Sequence, residues 1–131
     1  MIVVGPKVIL RHPLATSNLS EMETGTHFKP IIDDSVEAPQ RVLFLSGKLY
    51  YELFAERQKR KLEDKVALVR VEELCPFPAS DIQKLVEKYE QVSEVFWIQE
   101  EPQNQGAWTY IEPRLRQLLG SKVSRPSMTW I

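Results

Sequence analysis

Short, strongly apolar runs alternate with stretches of helical period in this chain, and that rhythm leaves few folds open. Arg41 to Ser46, Val66 to Val71 and Val95 to Gln99 are nearly continuous apolar segments, as expected of strands covered on both faces. Between the first two, Leu49 with Leu53 and Tyr50 with Phe54 recur at i,i+4 within Lys48 to Glu63, which predicts an amphipathic helix. A second helix is expected from Ser80, which with Gln83 forms a capping-box signature ahead of Ile82, Leu85, Val86 and Tyr89. A third is expected over Trp108, Ile111, Leu115, Leu118 and Leu119 up to Gly120, with a kink or restart at Pro113. Strand and helix thus alternate three times over roughly 80 residues, which predicts right-handed crossovers and an α/β fold: a mainly parallel sheet with helices on both faces. A further short strand is expected beyond Ser121.

The first part of the chain lacks this order. Lys7 to Arg11, bounded by Pro6 and Pro13, reads as a strand. His12 to Gln40 is irregular and rich in Pro, Ser, Thr and Asp, with only Lys29 to Ile32 resembling an extended piece. A stretch that long inside a compact domain is unusual, and it is read as a linker. With 131 residues, the whole is sized as one globular domain able to fold without disulfide or metal.

Composition removes several functions. A formal charge of -1 lacks the basic excess of a general nucleic-acid binder, and no apolar run approaches the ~18–20 residues that span a bilayer. Cys75 is the only cysteine, so no intrachain disulfide forms, and Cys75 with His12 and His27 is too sparse for a zinc cluster. Flanked by prolines and apolar residues with no nearby histidine, Cys75 is expected as a small buried side chain rather than a nucleophile.

In parallel sheets the functional edge lies past the carboxyl ends of the strands. Three turns are expected there. Ser46-Gly47-Lys48 is a candidate anion-binding turn, with backbone N–H groups, a helix start and a lysine, or simply a tight turn, since the spaced glycines of a phosphate loop are absent. The second turn sets Glu72 and Glu73 beside Cys75, but adjacent extended residues point to opposite faces. The third, Gln99 to Trp108, gathers Gln99, Glu100, Glu101, Gln103, Asn104 and Gln105. Gln99, Glu100, Glu101, Asn104, Gln105 and Trp108 are the candidate polar network or interface, either binding a ligand or fixing the turn and capping the next helix.

Read in order, Leu10-Arg11-His12-Pro13, Gly25-Thr26-His27-Phe28, Ser46-Gly47-Lys48-Leu49-Tyr50-Tyr51, Arg70-Val71-Glu72-Glu73-Leu74-Cys75-Pro76-Phe77-Pro78 and Gln99-Glu100-Glu101-Pro102-Gln103-Asn104-Gln105-Gly106-Ala107-Trp108 resemble the C-terminal part of the first component of 2-oxoglutarate dehydrogenase complexes. The Glu-Glu-Leu-Cys-Pro-Phe-Pro string looks closest to the 2-oxoadipate-acting branch. The resemblance implies a transketolase C-terminal-like domain at 41–131, with 1–13 the end of a preceding domain and 14–40 the crossing. It also implies a parent enzyme that uses thiamine diphosphate and magnesium to decarboxylate 2-oxoglutarate or 2-oxoadipate and passes the acyl group to a lipoyl-bearing acyltransferase. That parent would be a homodimer, mitochondrial if eukaryotic and cytoplasmic if bacterial, with no nucleic-acid or membrane partner. The family's cofactor motifs have no counterpart here, so no residue of this chain is expected to be catalytic, to bind the cofactor or to hold metal. From Arg125 the chain begins like the family's closing segment and stops at Ile131, which leaves the closing of the sheet open. The alternative is a free-standing module binding a small ligand, an acyl-coenzyme A or a nucleotide.

Overall fold

The structure is a computed structural model, and it describes residues 2, 4–92 and 94–120, together with the backbone of 123–124. The family-like segment from Arg125 to Ile131 lies outside the described residues.

The three apolar runs are the centre of the sheet. Strands β1 (Ile31–Ile32), β2 (Arg41–Leu45), β3 (Val66–Val71), β4 (Glu94–Trp97) and β5 (Val123–Ser124) are ordered β1-β3-β2-β4-β5. β2 runs parallel to both β3 and β4, β5 parallel to β4, and β1 alone is antiparallel, with Ile31 opposite Val71. The helices are α1 (Leu49–Lys59), α2 (Ala79–Lys88) and α3 (Trp108–Leu119). This is the mainly parallel α/β architecture read from the sequence.

The strand order fixes which helix covers which face. From β2 the chain steps to β3 on one side, then crosses back over β2 to β4 and continues outward to β5. Right-handed crossovers in opposite directions place α1 on one face and α2 and α3 on the other. The packing agrees: Val42, Phe44, Val69, Val71, Val95 and Trp97 share one core with Ile82 and Leu85 of α2 and Ile111 and Leu115 of α3. Leu45 and Leu68 are equally buried but point to the α1 side, as alternation along a strand requires.

Local endings differ from expectation where a neighbour overrides the pattern. α2 begins at Ala79, with Pro78 in the boundary position at φ -80°, so Ser80 lies inside the helix and no side-chain cap forms. α3 continues through Pro113 as one helix. α1 stops through a pair of backbone bonds, Leu62 N–H to Arg57 O at 3.1 Å and Lys61 N–H to Gln58 O at 3.0 Å, with Lys61 at φ 55°. That is the left-handed helix ending usually made by glycine.

Lys7 to Arg11 is not a strand. Lys7–Ile9 form a single 3-10 turn, with Val8 and Leu10 exposed. An apolar β-branched run becomes a strand only where another strand completes its hydrogen bonds, and the described sheet offers Lys7 to Arg11 no such place. Cys75 is exposed rather than buried, because the Pro-rich turn after β3 carries it off the core. Desolvation, and then a hydrogen bond with Cys75, push the Tyr110 phenol above its ordinary value.

Candidate functional site

The carboxyl ends of β2 and β4 are the point where the chain leaves the sheet in opposite directions, toward α1 and toward α3. Such a switch point opens a crevice between neighbouring strands. Here it is a concavity of about 410 Å³, floored by Leu49, Leu74, Trp97 and Ile98 and rimmed by Ser46, Gln99, Glu100 and Glu101. The first and third turns picked out in the sequence therefore meet across one opening.

Gln99 organises the rim. Its amide nitrogen donates toward three carbonyls, Glu101 O at 3.0 Å, Pro102 O at 3.1 Å and Gln105 O at 2.9 Å. Its amide oxygen accepts the Trp97 indole N–H and the Trp108 backbone N–H, both at 3.0 Å. Trp108 is the first residue of α3, so Gln99 caps that helix from nine positions upstream. Every hydrogen-bonding group of the Gln99 amide is thereby engaged by its own chain, which matches a turn-fixing network rather than a free ligand-binding amide.

Gly106 is required by this network. It sits at φ +67°, and a Cβ there would lie 2.9 Å from Glu101 Oε2 and 3.1 Å from Gln99 Nε2. Trp108 packs into the core at 4% exposure, beneath the turn. Asn104 and Gln105 are exposed, and neither lines the concavity.

Lys48 reaches across the opening to Glu100, with Glu52 3.9 Å away on its own helix. The bond to Glu100 holds the Lys48 ammonium above its ordinary pKa, despite some desolvation acting against it. The cation of the candidate anion turn is thus neutralised from the opposite lip. Gly47 takes the positive φ of 70° that the tight turn needs.

This arrangement does not fit a diphosphate and magnesium. The rim presents two carboxylates, which repel phosphate, and its lysine is already paired. Among the described residues no group of three or more His, Cys, Asp or Glu side chains is placed to hold a metal ion. No helix among them is long and apolar enough to cross a membrane.

A second polar assembly, unseen in the sequence, ties the end of the irregular segment to the domain. Asp33 and Asp34 follow β1, and consecutive residues of an extended chain face opposite sides. Asp34 pairs with Arg57 of α1 and accepts the Leu68 N–H at 2.8 Å, while Arg57 also donates to Val66 O at 2.8 Å. Arg57 and Asp34 are only 8% and 11% exposed. Asp33, on the other side, accepts from Lys88 at 2.5 Å and from the Tyr89 hydroxyl at 2.9 Å. Burial acts first on both partners: it pushes the Tyr89 phenol up, and for Lys88 it is outweighed by the bonds to Asp33 and Tyr89, which leave the ammonium raised. The signal was the Asp-Asp pair directly after Ile31-Ile32, with a lone arginine on the apolar side of the next helix.

Comparison with known proteins bears on what this geometry serves. Residues 16–130 match a family model described as 2-oxoglutarate dehydrogenase C-terminal. The 2-oxoadipate dehydrogenase complex component E1 of Danio rerio is 50% identical over 135 residues, covering 98% of this chain and 15% of that protein. A probable homolog of the same component from Caenorhabditis elegans is 42% identical over 137 residues, with 99% and 15% covered. The Homo sapiens component is 44% identical over 136 residues, with 98% and 15% covered. The chain thus spans about 15% of the length of these relatives.

Proposed function

Because this chain belongs to the 2-oxoglutarate dehydrogenase C-terminal family, we propose that it acts as the C-terminal, non-catalytic scaffold and dimer-contact domain of a 2-oxo acid dehydrogenase first component. The parent polypeptide would decarboxylate 2-oxoadipate or 2-oxoglutarate with thiamine diphosphate and magnesium held by other domains, and hand the acyl group to a lipoyl-bearing acyltransferase. It would be a homodimer, placed in the mitochondrial matrix in a eukaryote and in the cytoplasm in a bacterium, without nucleic-acid or membrane partners. Residues 1–13 would end the preceding domain and 14–40 cross to this one, with the packed body beginning at 41. The observation that carries this reading is the alignment of 98% of the chain, at 50% identity, with a component E1. What supports a non-catalytic role is the way the switch-point crevice consumes its own groups, Gln99 in the turn and Lys48 on Glu100.

Calorimetric titration of the chain with thiamine diphosphate and magnesium tests this, and the expected result is no saturable heat. Saturation at micromolar cofactor would overturn the assignment of the cofactor site to other domains. The second reading, a regulatory module for an acyl-coenzyme A, a nucleotide or another small ligand, draws on the crevice of about 410 Å³. A ligand present at 100 times its dissociation constant would stabilise the chain by about 2.7 kcal/mol, so a melting shift on adding such compounds would favour it.

A further inference from the structure

The exposed large apolar side chains Ile2, Val4, Val8, Leu10, Leu14, Leu19, Met22 and Phe28, at 49% to 93% exposure, all belong to the first 28 residues. From Ile31 onward the large apolar residues of the described chain are at least half covered. A run of apolar side chains on this scale marks a surface that another surface covers. The arm is also one-sided in charge: Lys7 and Arg11 are the only formal charges among side chains before Glu21. Its ring contact with the body is His12 on Tyr51 of α1, with centroids 4.6 Å apart, and the Asp33 and Asp34 bonds fix the point where it joins the sheet.

We infer that residues 2–28 form a docking arm that seats on an apolar, carboxylate-edged surface of the preceding part of the same polypeptide. This rests on the reading above, in which the chain is one domain of a longer component. Two observations select that occupant. The relatives align with 98–99% of this chain, the arm included, while the C-terminal family model begins only at residue 16. The part of the arm before residue 16 therefore goes with sequence that lies outside the C-terminal unit. The relatives also carry about 85% of their length outside the aligned portion, ample chain to supply the surface. The basic, acid-free start of the arm asks that surface for carboxylates at its edge.

The test is amide hydrogen exchange on a chimera in which this chain replaces the matching portion of the Danio rerio component, read beside the isolated chain. Amides between residues 4 and 28 are expected to exchange at least tenfold more slowly in the chimera. The paired substitution V8D/L10D should return them to the isolated-chain rate while β3 stays protected, which separates lost docking from lost folding. An unslowed arm in a chimera that turns over 2-oxoadipate would overturn the inference and leave the proposed function standing. Slowed arm exchange in a chimera without turnover would support the arm and count against the proposed function instead. Slowing in the isolated chain, as its concentration rises or on adding phosphatidylcholine–phosphatidylserine vesicles, would overturn the inference in favour of a second copy or a lipid surface.

Discussion

Residues 2–29 and residues 30–36 run into one another in the same irregular stretch, and both carry apolar side chains among polar ones, yet their fates are opposite. Ile2, Val4, Val8, Leu10 and Phe28 are exposed, whereas Ile31 and Val36 pack against the core. Apolar content does not separate them. Fixed backbone and desolvated charge do: Ile31 and Ile32 pair with Val71 and Arg70, Pro30 O accepts the Glu72 N–H at 2.9 Å, and Asp34 meets the buried Arg57. Ordering a residue costs about 1–2 kcal/mol of backbone entropy, and only the second stretch has ladder bonds and burial to offset it.

The sharpest way to break that contrast is Asp34→Ala. Removing one member of a buried pair leaves the other charge uncompensated, a loss of about 3–5 kcal/mol. The Leu68 N–H also loses its acceptor. Chemical denaturation should show this loss, with exchange protection vanishing first at Ile31 and Ile32. A cost below about 1 kcal/mol, the range of exposed pairs, would mean that the clip does not anchor the segment.

Next in size is Gly106→Ala, which tests whether the crevice turn is as firmly set as the clip. The left-handed backbone alone costs a Cβ-bearing residue about 1–2 kcal/mol. The new methyl must also push aside Glu101 Oε2 and the Gln99 amide, so a total of about 2 kcal/mol is expected, with the Trp108 indole environment altered in fluorescence. Gln99→Leu should reproduce the fluorescence change through loss of the α3 cap. An unchanged spectrum in both variants would remove Gln99 from its organising role.

Asp33→Asn is expected to cost about 1 kcal/mol, because its partners keep part of their solvent contact. The cluster also sets a pH dependence with a definite sign. Lys88 and Tyr89 both hold their protons more tightly in the folded chain than their ordinary values imply. The stability they contribute is therefore complete below about pH 10, where the unfolded groups begin to titrate, and is lost as pH rises through the folded values. Denaturation midpoints should fall on the alkaline side, and fall less in Asp33→Asn. Equal slopes in the two proteins would assign the alkaline loss to other groups.

How much of this was legible before the structure follows from the range of each interaction. β2, β3 and β4 announce themselves because a strand buried on both faces needs only its own apolar run, and the α/β order follows from their spacing. β1 is two residues long, too short for any period, and its identity depends on the edge of β3 being free. The Asp33 and Asp34 partners lie 55 and 23 positions away, beyond any local pattern. The two candidate turns were visible as polar segments at strand ends, and Ser46, Lys48, Gln99, Glu100 and Glu101 do converge. What the sequence could not show is that Glu100 and Gln99 are spent on Lys48 and on the turn itself, since that requires the β2–β4 adjacency created by the crossover.

The smallest effect belongs to the arm. Val8→Ala and Leu10→Ala together would cost several kcal/mol in a core, where each leaves a cavity. In the isolated chain both side chains are already in water at 74% and 81% exposure, so folding removes little of their surface and their truncation forfeits almost nothing. The expected change in denaturation free energy is within about 0.5 kcal/mol, the ordinary range for surface substitutions. Asp34→Ala in the same background should keep its full cost, since the Lys7–Ile9 turn and the clip share no partner and distant effects add. A double arm variant that costs more than about 1 kcal/mol would exceed that surface range and show that the arm packs on its own domain in solution, which would erase the contrast between the two stretches.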